Sequence, residues 1–161
     1  MMANPPPGVA DRLRRERGLT ELVALCLANR GIHTPEAADA FLDPRLKSLS
    51  DPMILSDIGP ALRRLFQARE RNETVVIFGD YDVDGVTSTA ILTEVLTSLG
   101  WRCAQYLPHR REEGYGLTQA GVENCLARHP TTLLLAVDCG STAVEPIAWL
   151  NSRGVDVLVL D

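Results

Sequence analysis

Long apolar runs are missing from this sequence, and so are clustered cysteines, paired histidines and any excess of positive charge. The most apolar stretch, about Thr131 to Val137, falls far short of the roughly 20 residues that a membrane-spanning helix needs, which excludes such a helix. The N-terminus carries Pro5-Pro6-Pro7 but no basic segment followed by an apolar one, so no secretory signal is read there. A cytoplasmic location without a membrane partner is therefore expected. The four cysteines, Cys26, Cys103, Cys125 and Cys139, form no Cys-x-x-Cys pair and each sits in an apolar stretch. Buried free thiols are expected rather than disulfides or a zinc site. Sixteen Lys+Arg against 21 Asp+Glu leave a net charge of −5, so the chain lacks the broad positive surface of a non-specific nucleic-acid binder. Any nucleic-acid contact must be local.

What is present suits a packed domain. The chain has 161 residues, of which 45% are apolar and 23% charged, close to the soluble globular average and unlike disordered, collagenous or coiled-coil chains. The first 72 residues read as a short helical segment, with residues 1–8 disordered. Helices are expected over Leu19 to Asn29, capped by Thr20 and stopped by Gly31; over Thr34-Pro35 to about Leu42; and over about Asp57 to Arg71. Asp43-Pro44 and Asp51-Pro52 break the chain between them. From residue 73 the pattern alternates. Strands are predicted at Thr74 to Phe78, Trp101 to Leu107, Thr132 to Val137 and Val155 to Leu160, with helices at Val86 to Leu99, Thr118 to Arg128 and Val144 to Arg153. Near-continuous apolar strands separated by helices imply a doubly wound α/β unit with a mostly parallel sheet.

The acids fall at the strand ends. The first strand runs into Gly79-Asp80-Tyr81-Asp82-Val83-Asp84-Gly85, the third into Asp138-Cys139-Gly140-Ser141, and the fourth ends on Asp161. Ligands of open α/β sheets bind in the crevice outside the carboxyl ends of the strands. Five carboxylates aimed at one sheet edge would repel one another unless cations neutralised them, which suits hard divalent ions with oxygen ligands. Two such ions a few Å apart clamp a phosphoryl group for attack by water. Helix capping alone would account for Asp84 or Asp138 singly, but not for the whole set.

Asp-x-Asp-x-Asp-Gly also opens an EF-hand loop, but the twelfth position here is Ile91 and a strand precedes the motif, so that reading fails. Asp82-Val83-Asp84-Gly85-Val86-Thr87 is similar to the first motif of haloacid-dehalogenase-like phosphatases, in which the first Asp is a nucleophile. The single lysine, Lys47, lies upstream, and no Asp-Asp pair follows, which argues against that alternative.

Four segments in order carry a broader resemblance: Gly79 to Ser88, Pro108-His109-Arg110-Arg111-Glu112-Glu113-Gly114-Tyr115-Gly116-Leu117, Val137 to Gly140, and Val157 to Asp161. Together they resemble the DHH phosphoesterase superfamily, most of all its RecJ-type branch of single-stranded-DNA-specific 5′→3′ exonucleases. Arg30-Gly31-Ile32, Phe41-Leu42-Asp43-Pro44 and Leu46 are similar to the helical lead-in of that branch. The resemblance implies a two-metal phosphodiesterase acting on single-stranded DNA in repair and recombination, with a single-stranded-DNA-binding protein or a helicase as further partners. It makes Asp80, Asp82, Asp84, Asp138 and Asp161 the ligands of a Mn²⁺ or Mg²⁺ pair, with Asp82, Asp84 and Asp138 catalytic and Asp138 the bridge. It also implies that two histidines, a later acidic ligand and a further substrate domain lie beyond Asp161. The chain is then expected to be the N-terminal part of an incomplete DHH domain, 73–161, and inert alone. Arg110 and Arg111 would fork phosphates, Tyr115 would stack on a base, and Ser88 at a helix N-terminus would meet a phosphate or serve in capping. The alternative in another class is a catalytically silent DHH-like scaffold that only binds nucleic acid; the intact acid set argues against it.

Overall fold

The computed structural model describes residues 5–161, so the part of the expected N-terminal disorder that falls on residues 1–4 lies outside the described residues. Two compact units divide between Ile54 and Leu55.

In the first unit, α1 (Val9–Arg17), α2 (Glu21–Asn29) and α3 (Pro35–Leu42) pack around Leu13, Ala24, Leu27 and Ala38. Helix α1 has no counterpart among the helices predicted from the sequence. It follows Gly8 directly, in place of disorder extending to that residue, and ends at Gly18, whose φ of 63° suits a left-handed stop. The capping signals of the other two hold: Thr20 accepts from the Val23 amide at 3.4 Å, and Thr34 from the Ala37 amide at 3.2 Å. Cys26 is exposed on α2, because the buried face of that helix is Ala24, Leu27 and Ala28. The other three thiols are free too, with Cys125 and Cys139 buried and Cys103 half-buried.

The second unit comprises α4 (Ile58–Glu70), β1 (Thr74–Gly79), α5 (Val83–Ser98), β2 (Arg102–Tyr106), α6 (Arg110–Glu113), α7 (Gln119–Arg128), β3 (Leu133–Val137), α8 (Val144–Ser152) and β4 (Asp156–Leu160). Helix α4 belongs here rather than to the helical lead-in, because Ala68 and Leu65 enter a core of Val75, Ile77, Leu133, Leu135 and Trp101. All four strands are parallel, in the order β2-β1-β3-β4. Helices α4 and α5 supply Ala68, Leu92 and Leu96 to one face, while α7 and α8 supply Val122, Cys125 and Leu150 to the other. The central strands β1 and β3 bury side chains on both faces, which is why they read as unbroken apolar runs. Each fully buried Val, Leu, Ile or Phe there contributes about 1.5–3 kcal/mol.

One ionic clamp ties the amino end of this sheet. Arg64 of α4 donates to Glu73 at 2.7 Å, to the Thr132 carbonyl at 3.1 Å, and to Asp156. Burial pushes the Glu73 carboxyl up, and the hydrogen bonds from Arg64 and Thr132 outweigh it, holding the group below its ordinary range.

Candidate functional site

The strand order, which no local pattern encodes, creates the site. From β1 the chain steps to β2 on one side, then crosses to β3 on the other, so the topology reverses between β1 and β3. Open α/β sheets bind ligands at such a reversal, outside the carboxyl ends of the strands. Gly79 pairs with Val137, and Val137 with Leu160. The next residue on each strand is an acid, so Asp80, Asp138 and Asp161 follow three laterally paired positions, with neighbouring strands about 4.8 Å apart.

Two glycines bring the rest of the acidic motif onto this edge. A Cβ on Gly79 would lie 2.0 Å from the Thr89 hydroxyl, and one on Gly85 would lie 2.3 Å from the Asp80 carbonyl oxygen. Only bare backbone lets α5 rest directly on the end of β1. The helix begins at Val83, earlier than the predicted Val86, because the Asp82 carboxylate caps it, accepting from the Asp84 and Gly85 amides at 3.1 and 3.0 Å. Asp84 therefore sits exposed in the first turn. Thr87 and Ser88 lie a turn further in: Thr87 returns a hydrogen bond to the Val83 carbonyl at 2.7 Å, and half-buried Ser88 lies within the helix rather than at its end.

The acids at this edge act on one another electrostatically. The Asp138 carboxyl is raised above its usual range, first by burial, then by the charge of Asp82 and a hydrogen bond to it, then by Asp84 and Asp80. Its backbone is left-handed, with φ of 57°, which turns the side chain at the strand end. Asp80 is fully buried, and neither of its carboxylate oxygens has a hydrogen-bond partner among the described residues. A buried acid without donors is costly unless something else meets it. Asp161, on the strand next to Asp138, accepts from the Ser141 amide at 2.9 Å, which holds its titration below the usual range.

Oxygen donors alone, crowded enough to repel and with two orphaned oxygens on Asp80, suit a hard divalent cation. Among the described residues no group of three acids, histidines or cysteines already closes on one ion position. The fit therefore lies in the donor chemistry and in Asp80's unmet oxygens.

The segment after β2 also reaches this edge. It contains a one-turn helix, α6, where an irregular charged loop was expected. Arg110 lies 5.0 Å over the Tyr81 ring, and Tyr115 meets the same ring edge-on at 5.9 Å between centroids. Tyr115 is exposed, and its phenol is raised first by the charge of Asp80, then by burial and by Asp82 and Asp138. Gly116 passes beside Cys139, next in sequence to Asp138. The structure thus sets Arg110 and Tyr115 on Tyr81, which lies between Asp80 and Asp82 in the chain, while Arg111 stands exposed on α6; neither arginine makes an ion pair among the described residues. Sequence reasoning missed two residues. Tyr81 is the ring on which Arg110 and Tyr115 meet. Glu113, within a run of four charged residues that reads as solvated, is buried and accepts three hydrogen bonds.

Comparison with known proteins converges on one group. The family model described as the DHH family, N-terminal domain, matches residues 74–161. The single-stranded-DNA-specific exonuclease RecJ of Bacillus subtilis is 34% identical over 157 residues, covering 98% of this chain and 20% of that protein. RecJ of Haemophilus influenzae is 39% identical over 121 residues, covering 74% of this chain and 21% of that protein. The crystal structure of Thermus thermophilus RecJ in complex with Mn²⁺ superposes with a TM-score of 0.63 at 28% identity, covering 96% of this chain and 21% of that one. The chain spans about a fifth of the length of the curated relatives it matches.

Proposed function

Because the chain belongs to the DHH family, we propose that it is the metal-dependent phosphodiesterase module of a 5′→3′ single-stranded-DNA exonuclease acting in DNA repair and recombination. The observation that carries this reading is the placement of Asp80 and Asp138 on adjacent strand ends at the sheet's reversal point, with Asp82 and Asp84 at the start of α5 and both Asp80 oxygens buried and without a partner among the described residues. The similar exonucleases are described as single-stranded-DNA-specific, and similar RecJ structures hold manganese or magnesium, which supports Mn²⁺ or Mg²⁺ as the cofactor here.

Asp80, Asp82, Asp84 and Asp138 would hold a pair of these ions, with Asp161 at the margin through Ser141. Bound there, divalent ions supply Lewis-acid chemistry, neutralising a phosphodiester and lowering the pKa of water. The chain's own residues do the rest. Asp82 fixes its carboxylate by capping α5, so one oxygen is held in place for a ligand. Asp138 presents its carboxylate from a turned backbone between the neighbouring strands. Arg110 and Arg111 take the phosphates of the incoming strand, Tyr115 stacks on a base, and the sugar–phosphate backbone passes the amino end of α5, with Ser88 a turn further in. A cytoplasmic protein working beside a single-stranded-DNA-binding protein or a helicase fits this role.

The test is Mn²⁺-dependent release of nucleotides from 5′-labelled single strands by the protein that carries this domain. Asp82→Ala and Asp138→Ala are expected to abolish release while leaving the circular dichroism spectrum unchanged. Near-normal turnover in both variants would remove the metal assignment.

A further inference from the structure

The acids at the sheet edge face a segment that is short, charged and interrupted by two glycines in left-handed conformation, Gly114 at φ 86° and Gly116 at φ 71°. Such a strap has every reason to be loose: its residues 109–112 and 114–115 are exposed, and glycine adds conformational freedom. Its order must come from an anchor.

Glu113 is the one strap residue between His109 and Tyr115 that is buried. One carboxylate oxygen accepts from the Tyr106 hydroxyl, at the end of β2, and from the Asn124 side chain of α7 at 2.6 Å; the other accepts from the His109 amide, at the start of α6. Its carbonyl oxygen accepts from the Thr118 hydroxyl at 2.6 Å, which in turn caps α7 by accepting from the Gly121 amide at 3.1 Å. One residue therefore ties both ends of the strap to β2 and α7. Charge-assisted hydrogen bonds of this kind are the strong ones, and a fully satisfied buried network rigidifies what it joins. What lies between the ties is Arg110 and, just past Glu113, Tyr115, both resting on Tyr81 at the acidic edge.

We propose that Glu113 is a positioning residue for the nucleic-acid strap: its buried carboxylate holds Arg110 and Tyr115 over the acidic edge, and it acts on substrate only through them. The proposal rests on the reading of this edge as a single-stranded-DNA site. It distinguishes Glu113 from the four aspartates, since Glu113 contributes no oxygen to the metal donors; all of its acceptor capacity that is accounted for faces protein donors.

Glu113→Gln tests this with nearly the same shape. A Gln side chain has one acceptor oxygen and an NH₂ group, so it cannot accept from His109 and from the Tyr106–Asn124 pair together. Hydrogen exchange is expected to accelerate at least about tenfold in residues 109–117, while β2 and α7 keep their protection. Affinity for a fluorescein-labelled oligothymidylate in metal-free buffer should fall about as far as in Arg110→Ala, roughly five- to tenfold. The Glu113→Gln/Arg110→Ala double variant should bind no more weakly than Arg110→Ala alone, because one change has already removed what the other removes. Mn²⁺ affinity should stay within about twofold of the parent, since no metal donor is touched. Asn124→Ala, at an exposed position, is the milder second variant and should loosen the same residues less. Additive losses in the double variant, or exchange that speeds throughout β2 and α7, would overturn the proposal and leave Glu113 as an ordinary buried polar residue. If Arg110→Ala binds as the parent does, the DNA reading of the strap fails instead, while exchange still decides whether Glu113 orders it.

Discussion

Two glycines in the first turns of their helices should respond differently to alanine, and the difference measures how closely α5 must sit on β1. Gly59, in α4, has room: a Cβ there would meet only the flexible end of Arg63, at 3.5 Å. Gly59→Ala should change stability by no more than about 0.5 kcal/mol, because Gly59 lies in the first turn and precedes Pro60, whose ring crowds a Cβ on a helical residue before it. Gly85, in α5, has none, because its Cβ would lie 2.3 Å from the Asp80 carbonyl oxygen and 2.6 Å from its carbon and nitrogen. Backbone cannot rotate away as a side chain can, so the helix must retreat by about 1 Å to restore van der Waals contact. Overpacking of this kind costs about 3 kcal/mol, and the propensity gain returns about 1, leaving a loss near 2 kcal/mol. In a unit of about 100 residues that lowers the melting temperature by about 8–16 °C, whereas Gly59→Ala shifts it by no more than about 4 °C. The assay is thermal unfolding of each variant by circular dichroism in metal-free buffer. Because the retreat would carry Asp82 and Asp84 away from Asp138, Gly85→Ala should also weaken Mn²⁺ binding. A Gly85→Ala protein that melts at or above the parent would refute the close approach of α5 to β1.

Asp138→Asn should raise the melting temperature at pH 7 in metal-free buffer. The folded Asp138 carboxyl titrates above its unfolded value, so the stability it contributes is present in acid and lost as pH rises through the raised value; a variant that melts lower, with an unchanged pH slope, would contradict this. The depressed Glu73 and Glu113 carboxyls act in the opposite sense, their contribution being lost as pH falls through their folded values. Arg64→Ala should cost about 1–2 kcal/mol in urea unfolding, since it removes the side chain that bridges α4 to Glu73, the Thr132 carbonyl and Asp156 at the amino end of the sheet; a loss below about 0.5 kcal/mol would make the clamp incidental. With a disulfide reagent, Cys26 should react in the native state, while Cys125 and Cys139, buried and each pushed up to about 12 chiefly by burial, react only on unfolding.

The parts of the fold that were legible in the sequence are those that one segment decides by itself. Thr20, Thr34 and Thr118 announce their helices because capping is a contact within one turn. The strands β1 and β3 announce themselves because burial on both faces forces unbroken apolar runs. Helix α1 was missed because only Val9, Ala10 and Leu13 break its run of charges, and its stability comes from packing Leu13 against α2 and α3. The order β2-β1-β3-β4 depends on which strands meet across long loops, and it is that order which sets Asp80 beside Asp138. Asp82 as the helix cap and Glu113 as a buried anchor were hidden for a related reason. Charge in a sequence reads as solvated, and only the fold shows that amide and hydroxyl donors surround these two carboxylates. The acids themselves were visible because strand ends are local; that the Asp161 carboxylate would accept from the Ser141 amide was not.

Mn²⁺ titration followed by electron paramagnetic resonance, on this chain and on its Asp80→Asn and Asp138→Asn variants, tests the central claim most directly, since free and bound Mn²⁺ are read without any need for turnover. If the carboxylates at the ends of β1 and β3 form the metal site, the parent chain binds Mn²⁺ and each variant loses at least about tenfold in affinity while melting no lower than the parent in metal-free buffer. Equal Mn²⁺ binding by the parent and both folded variants would contradict a metal site at this sheet edge.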